Sequence, residues 1–220
     1  MADQVPSMVI ASTAADDSAF EQHCSEDAMW TGSRLIIGVV TFAFAALGFA
    51  YFYLRSFNSD NLWRPHHVTA PTSTGTAIFA IVLASAALNA IGVRRLKRGL
   101  QIDWEVAGWV AVMGGLLATG LQIWEYTELG WFPGSSGYAS CFVGWGALNA
   151  ALLLGSVYWL ETLLARSIRL RRALAEDGGA AISQLPPARL FRGSLDGATY
   201  FWWFAAGIIL VFWLMFYVIT

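Results

Sequence analysis

Histidine and cysteine, the side chains that most often hold metals, are scarce in this sequence. There are three histidines and two cysteines, and Cys24 and Cys141 do not form the C-x-x-C pairs of zinc or redox sites. A disulfide framework is likewise excluded. His23 lies in the N-terminal segment, while His66 and His67 follow Pro65 in a polar connection, where we interpret them as solvated.

No histidine lies inside a long apolar run, so the chain offers no imidazole within a membrane for haem or copper. We therefore expect this chain to bind no haem or metal cofactor itself.

Charge is also sparse. Charged residues form 13% of the chain and hydrophobic residues 57%, against about 25% and about 45–50% in typical globular domains. A net charge of −2 without a basic stripe argues against a nucleic-acid partner. Residues 1–32 contain no Lys or Arg and no apolar h-region, so they do not resemble a signal peptide. We predict that they form a retained, mobile acidic tail.

The remaining chain, residues 33–220, contains five uncharged apolar runs. They cover about 35–54, 75–93, 106–124, 138–160 and 198–219. Each is long enough to cross about 30 Å of hydrocarbon as an α-helix, and none shows the alternation of a barrel strand. The sequence predicts an all-α, polytopic membrane bundle of five transmembrane helices.

Positive charge predicts the orientation of this bundle. The connections that would share one face carry most cations: Arg34, Arg94, Arg95, Lys97, Arg98, Arg166, Arg169, Arg171, Arg172, Arg189 and Arg192. The other face has Arg55 and Arg64. The positive-inside rule then puts the N-terminus in the cytoplasm and the C-terminus outside. Residues 165–197 become a basic cytoplasmic loop, whose Gly178-Gly179 and Pro186-Pro187 pairs exclude one continuous helix.

Polar side chains within the spans are the candidates for function. Asn89 and Asn149 are the amides deep in a span, and each can form an interhelical hydrogen bond of about 0.6–2 kcal/mol or belong to a proton path. Gln122 and Glu125 share a helical face at the outer end of the third span, beside an interfacial belt that includes Tyr126. Glu125 either ends the span at the headgroups or bonds to a facing helix end.

Small residues repeat every four positions in two spans. Ala107, Ala111, Gly115 and Thr119 form one stripe, and Ala147, Ala151 and Gly155 form another. Such stripes let backbones approach closely. They predict packed interfaces on the third and fourth helices, within this chain or against a partner.

The segment LQIWEYTELGWFPGSSGYASCF, residues 121–142, resembles the junction of the fifth and sixth helices of cytochrome c oxidase subunit III. That family has a Gln-x-x-Glu-Tyr ending, a Ser/Gly turn and a Tyr-Gly-Ser-x-Phe start to the next helix. The matching residues are Gln122, Glu125, Tyr126, Tyr138, Ser140 and Phe142. The final span is similar to the closing segment of the family through Tyr200, Phe201, Trp202 and Phe204.

The resemblance covers about residues 33–220, with the first two helices of the family missing. It also departs from the family at four positions. Phe42 stands where the family has a carboxylate, Asn149 replaces a histidine, and Trp203 and Ala206 replace a histidine and an aspartate.

The resemblance implies an accessory, non-catalytic subunit of a respiratory haem-copper oxidase in the plasma membrane of a bacterium. Catalytic subunit I and other oxidase subunits would be its partners and would hold the haem and copper, and phospholipid would be bound. Seven residues would contact lipid, a neighbouring helix or a subunit: Asn89, Gln122, Glu125, Tyr126, Asn149, Trp202 and Trp203. Two alternatives stay open: a similar subunit of a nitric oxide reductase, and a small transporter with a cavity lined by Asn89, Gln122 and Asn149.

Overall fold

A computed structural model describes residues 7–58, 63–176 and 186–219. Its helices are α1 (Ser7–Ser56), α2 (Thr72–Leu96), α3 (Gln101–Glu128), α4 (Gly137–Glu176) and α5 (Pro186–Trp213). Leu214–Val218 continue α5 as a π-helical turn. The described residues contain no strand. All five helices include a stretch that is long and apolar enough to cross a membrane, as in a multi-pass membrane protein, and this confirms the predicted helix count.

The helices extend well beyond the predicted spans. α4 has 40 residues, about 60 Å at 1.5 Å per residue, twice the thickness of about 30 Å of hydrocarbon. Much of the predicted loop 165–197 is therefore helical, because α4 continues to Glu176 and α5 already begins at Pro186. The Gly178-Gly179 pair lies outside the described residues.

α1 likewise begins at Ser7, so residues 7–32 of the expected tail have helical backbone. Residues 1–6 lie outside the described part, and the mobility of the tail stays a prediction.

Close packing of α2 on α3 depends on small residues at their seam. A Cβ on Gly92 would lie 2.9 Å from the Cβ of Ala107, and one on Gly114 would overlap the hydroxyl of Ser85. These contacts bring the backbones of the two antiparallel helices close together over about two turns. The short connection between them turns at Gly99, which has a φ of +88°.

Two apolar clusters form the interior. One lies among α2, α3, α4 and α5 around Val82, Trp104, Leu164 and Trp202. The other is aromatic and gathers near the end of the bundle at which α1, α3 and α5 finish, around Tyr51, Tyr138, Phe142 and Phe216. We call this the aromatic end. The opposite end, which carries Arg95, Lys97 and Arg171, we call the basic end.

α1 lies at the edge of the bundle and contacts α5 and α4. Only 11% of its most apolar stretch is buried. A helix with so much exposed apolar surface requires lipid or another protein around it.

Candidate functional site

A buried carboxyl group lies at the centre of the aromatic end. Glu125 is 0% exposed and Gln122 is 2% exposed. The amide Nε2 of Gln122 donates to Glu125 Oε2 at 2.7 Å, and the hydroxyl of Tyr217 donates to Glu125 Oε1 at 2.7 Å. Both carboxyl oxygens therefore have a donor, as buried polar groups require.

The position of Glu125 follows from helix geometry on α3. Residues three apart lie on one face, so Gln122 and Glu125 point together toward the interior. Glu125 forms no ion pair within the described part of the chain, so its partners are neutral donors. Of the two sequence-based interpretations, the structure favours a carboxyl that bonds to a facing helix end.

The facing helix end is the π-helical turn of Leu214–Val218. A π turn and a helix C-terminus both leave carbonyl oxygens without their usual intrahelical donors. Tyr51 of α1 donates its hydroxyl to the carbonyl of Met215 at 2.8 Å, and Tyr138 of α4 donates to the carbonyl of Phe216 at 2.8 Å. With the bond from Tyr217 to Glu125, hydrogen bonds connect α1, α3 and α4 to the end of α5.

Aromatic rings enclose these hydrogen bonds. Phe142 contacts the rings of Tyr126, Tyr138 and Tyr217 at centroid distances of 5.8–6.1 Å. Its own side chain is fully buried. Because the rings exclude water, no water molecule can replace a donor or acceptor that is lost from these buried hydrogen bonds.

The connection between α1 and α2 covers this end. Trp63 is buried with its ring edge-on to the ring of Tyr51 at 5.0 Å, and its carbonyl accepts a hydrogen bond from the backbone N–H of Tyr138 at 3.1 Å. The guanidinium of Arg64 lies 5.0 Å from the ring centre of Tyr138, and Trp131 donates its indole N–H to the carbonyl of Thr69. His66 and His67, which follow in the same connection, are exposed.

Tyr126 links α3 to α4 beside this site. Its hydroxyl donates to the carbonyl of Val143 at 3.1 Å. Gly146 makes room for it, because a Cβ there would overlap the tyrosine hydroxyl. Tyr126 is half-buried, and its hydroxyl is hydrogen-bonded to α4. It is therefore not simply an exposed member of the predicted interfacial belt.

The remaining predicted residues do not join this cluster. Asn89 is buried and donates its Nδ2 to Thr199 Oγ1 at 3.3 Å, which connects α2 to α5. Since Ser85 lies beside Gly114 and Gly92 beside Ala107, Asn89 is level with about residue 110 of α3. Gln122 is twelve residues further on, about 18 Å along the axis.

Asn149 is 2% exposed, and its side chain makes no hydrogen bond with the described residues. Trp202 is buried against Gly115, whereas Trp203 is 42% exposed. The seven candidates therefore form one cluster of Gln122, Glu125 and Tyr126 and four separate positions.

The two small-residue stripes have different environments. On α3, Ala111, Gly115 and Thr119 are buried inside the bundle. On α4, Ala147, Ala151 and Gly155 are exposed, and a Cβ on Gly155 would meet nothing within 4 Å. The first stripe packs within this chain, and the second leaves a shallow face on the bundle surface.

A second polar cluster, which sequence reasoning missed, lies at the basic end. Glu105 is 6% exposed. Its Oε2 pairs with Arg171 Nη2 at 2.9 Å, and its Oε1 accepts from Ser167 Oγ at 2.9 Å. Glu105 precedes the predicted span by one residue and was therefore not among the candidate residues within the spans. The one available signal was a carboxylate at the start of an apolar run, on the same predicted face as the arginines of the loop 165–197.

Among the described residues, no three of His, Cys, Asp and Glu lie together as metal ligands would. Comparison with known proteins adds no assignment for the site, since no protein-family model matches the chain and no curated protein matches it significantly.

Proposed function

We propose that this chain is an accessory, non-catalytic subunit of a bacterial respiratory haem-copper oxidase, similar to subunit III of cytochrome c oxidase. It would lie in the plasma membrane with its N-terminus in the cytoplasm and its C-terminus outside. Haem, copper, electron transfer and oxygen reduction would belong to the catalytic partner. This chain would stabilise that partner and bind phospholipid beside it.

The observation that supports this proposal most is the environment of the residues that carry the resemblance. Gln122 and Glu125 bond to each other, Tyr126 bonds to α4, and the rings of Tyr126 and Tyr138 both contact Phe142. Matching residues of α3 and α4 thus form one arrangement at the aromatic end. Such an arrangement is expected where a motif maintains a shared helix junction.

The outward faces of the bundle also suit a subunit of a larger complex. Phe42 is 79% exposed and Trp203 is 42% exposed, so two positions where the family has polar groups present apolar surface here. The exposed stripe of Ala147, Ala151 and Gly155 would let a neighbouring helix approach the backbone of α4 closely. Exposed apolar area and a small-residue seam are the features that a membrane partner would cover.

Purification through an affinity tag in mild detergent tests the proposal. We expect a large, histidine-rich membrane chain to accompany this protein, together with haem bands in a reduced-minus-oxidised visible spectrum. Haem type and turnover with oxygen or nitric oxide would separate an oxidase from a nitric oxide reductase. A colourless protein that purifies alone under several mild detergents would refute the subunit proposal.

Substitution of Glu125 examines the role of the junction within that complex. Glu125→Ala should reduce retention of the subunit during purification, because the carboxyl stabilises the helix junction of this chain. The haem spectrum of the partner should stay unchanged, because on this proposal the partner holds every haem ligand. Equal retention of the variant and the unmodified chain would contradict this role.

A transporter gains no comparable support. Asn89 and Gln122 are both bonded and lie about 18 Å apart along the helix axis. They do not line one polar cavity with Asn149.

A further inference from the structure

A groove opens on the bundle surface between α2 and α3, in the half nearer the basic end. Its volume is about 330 Å³. Leu88 and Ile91 of α2 form one wall, and Val106 and Val110 of α3 form the other. Gly92 of α2 lies at the floor together with Ala107 of α3.

The groove exists because the helices meet at their smallest residues. With Gly92 against Ala107 at the seam, the larger side chains beside them extend outward on both sides. Ile91, Val106 and Val110 are 47%, 59% and 50% exposed. From Asp103 to Val110 the groove follows about 10 Å of helix, so an extended hydrocarbon chain can lie along it.

Charge is concentrated where the groove meets the basic end. Arg95 Nη1 pairs with Asp103 Oδ2 at 2.8 Å across the mouth, and Lys97 pairs with Asp196 at 2.8 Å. The neighbouring Arg94 and Arg98 are exposed, and their side chains have no hydrogen-bonding or ionic partner among the described residues. Two uncompensated positive charges therefore lie within three residues of Arg95, which lines the groove at its basic end.

We propose that this groove binds one anionic phospholipid, with an acyl chain along the apolar walls and the phosphate at Arg94 and Arg98. A lipid matches both parts of the site, since hydrocarbon covers the exposed walls and an anionic headgroup neutralises the two arginines. The proposal does not depend on an oxidase partner, because every residue involved belongs to this chain.

The charge component is tested on the purified full chain in detergent, with phosphatidylglycerol and phosphatidylcholine as probes. Native mass spectrometry should show one retained phosphatidylglycerol and weaker retention of phosphatidylcholine. The double variant Arg94→Gln/Arg98→Gln should weaken phosphatidylglycerol binding by about 30-fold, because each arginine near a headgroup contributes about 1 kcal/mol. The matched double variant Arg166→Gln/Arg169→Gln, on the exposed side of α4, should change it by less than about threefold.

The groove component is tested by filling the channel. Val106→Phe should reduce binding of both probes, whereas Val39→Phe, at an exposed valine of α1, should not. Both valines are exposed, at 59% and 72%, so neither variant disturbs the interior.

Equal retention of the two lipids, or equal effects of the test and control variants, would overturn the proposal and indicate annular lipid only. Loss of a co-purifying protein from Val106→Phe without loss of lipid would also overturn it, because the groove would then bind a protein helix. The lipid assay uses the separated chain with defined lipids, and co-purification is scored in a separate experiment. The result for lipid is therefore distinguishable from the fate of the subunit proposal.

Discussion

The hydroxyl of Tyr217 provides the sharpest test of the buried cluster. Tyr217→Phe removes one oxygen and keeps the ring, so the ring contacts with Phe142 and Phe212 remain. The lost interaction is the 2.7 Å hydrogen bond to Glu125 Oε1. Any change in stability therefore reports on that bond.

The expected magnitude follows from burial. Interhelical hydrogen bonds in membrane proteins contribute about 0.6 kcal/mol on average and up to about 1.7. Leaving a buried acceptor without its donor costs about 1–3 kcal/mol. Because Glu125 is 0% exposed, water cannot replace the hydroxyl, and we expect the variant to lose about 1–2 kcal/mol of unfolding free energy.

Equilibrium unfolding in mixed micelles, with an increasing fraction of sodium dodecyl sulfate and detection by circular dichroism, measures this loss. Tyr158→Phe is the matched control, since Tyr158 is 70% exposed and its hydroxyl has no partner in the described residues. In a Glu125→Leu background, Tyr217→Phe should cost close to nothing, because its acceptor is gone. The coupling energy between the two sites should then be about 1–2 kcal/mol.

The reasoning is refuted if Tyr217→Phe and Tyr158→Phe unfold alike. A cost for Tyr217→Phe that persists unchanged in the Glu125→Leu background would also refute it, since the hydroxyl would then act through another partner.

Three further predictions concern other parts of the bundle. Gly146→Ala should reduce the unfolding free energy by about 1–3 kcal/mol, because the new methyl group displaces the hydroxyl of Tyr126. The control Gly144→Ala should be neutral or stabilising, because its methyl group meets nothing within 4 Å. Equal midpoints of the two variants in the same unfolding assay would contradict this. Glu105→Gln should reduce the unfolding free energy by about 1–3 kcal/mol, because its carboxylate is buried. Asp103→Asn should reduce it by only about 0–1 kcal/mol, because its ion pair is exposed. The reverse order would show that burial does not determine the difference. Cys24 is exposed, so a membrane-impermeant maleimide should label it in inside-out but not right-side-out vesicles; the opposite result would reverse the proposed orientation.

Helix number and approximate position were predictable from the sequence, because a bilayer sets the length of apolar run that a spanning helix needs. Val106 to Trp124 predicted the central part of α3, which extends from Gln101 to Glu128. The helix ends were not predictable, because hydropathy marks where the apolar run ends and not where the helix ends. The polar residues of Ser7–Ser56 and Gly137–Glu176 continue the helix beyond the apolar run.

The local part of the candidate site was predictable as well. Helical spacing alone puts Gln122 and Glu125 on one face, and small residues on α3 indicated close packing. These inferences need only the period of the helix, which is the same in every fold.

Only the tertiary structure identified the partners. Tyr217 is 92 residues from Glu125, and the π turn that leaves the carbonyls of Met215 and Phe216 for two other tyrosines has no marker in the sequence. The sequence likewise could not distinguish the buried stripe on α3 from the exposed stripe on α4, because both stripes have the same spacing. Sequence period determines which residues share a face, but the packing of all five helices decides whether that face meets another helix or the surroundings.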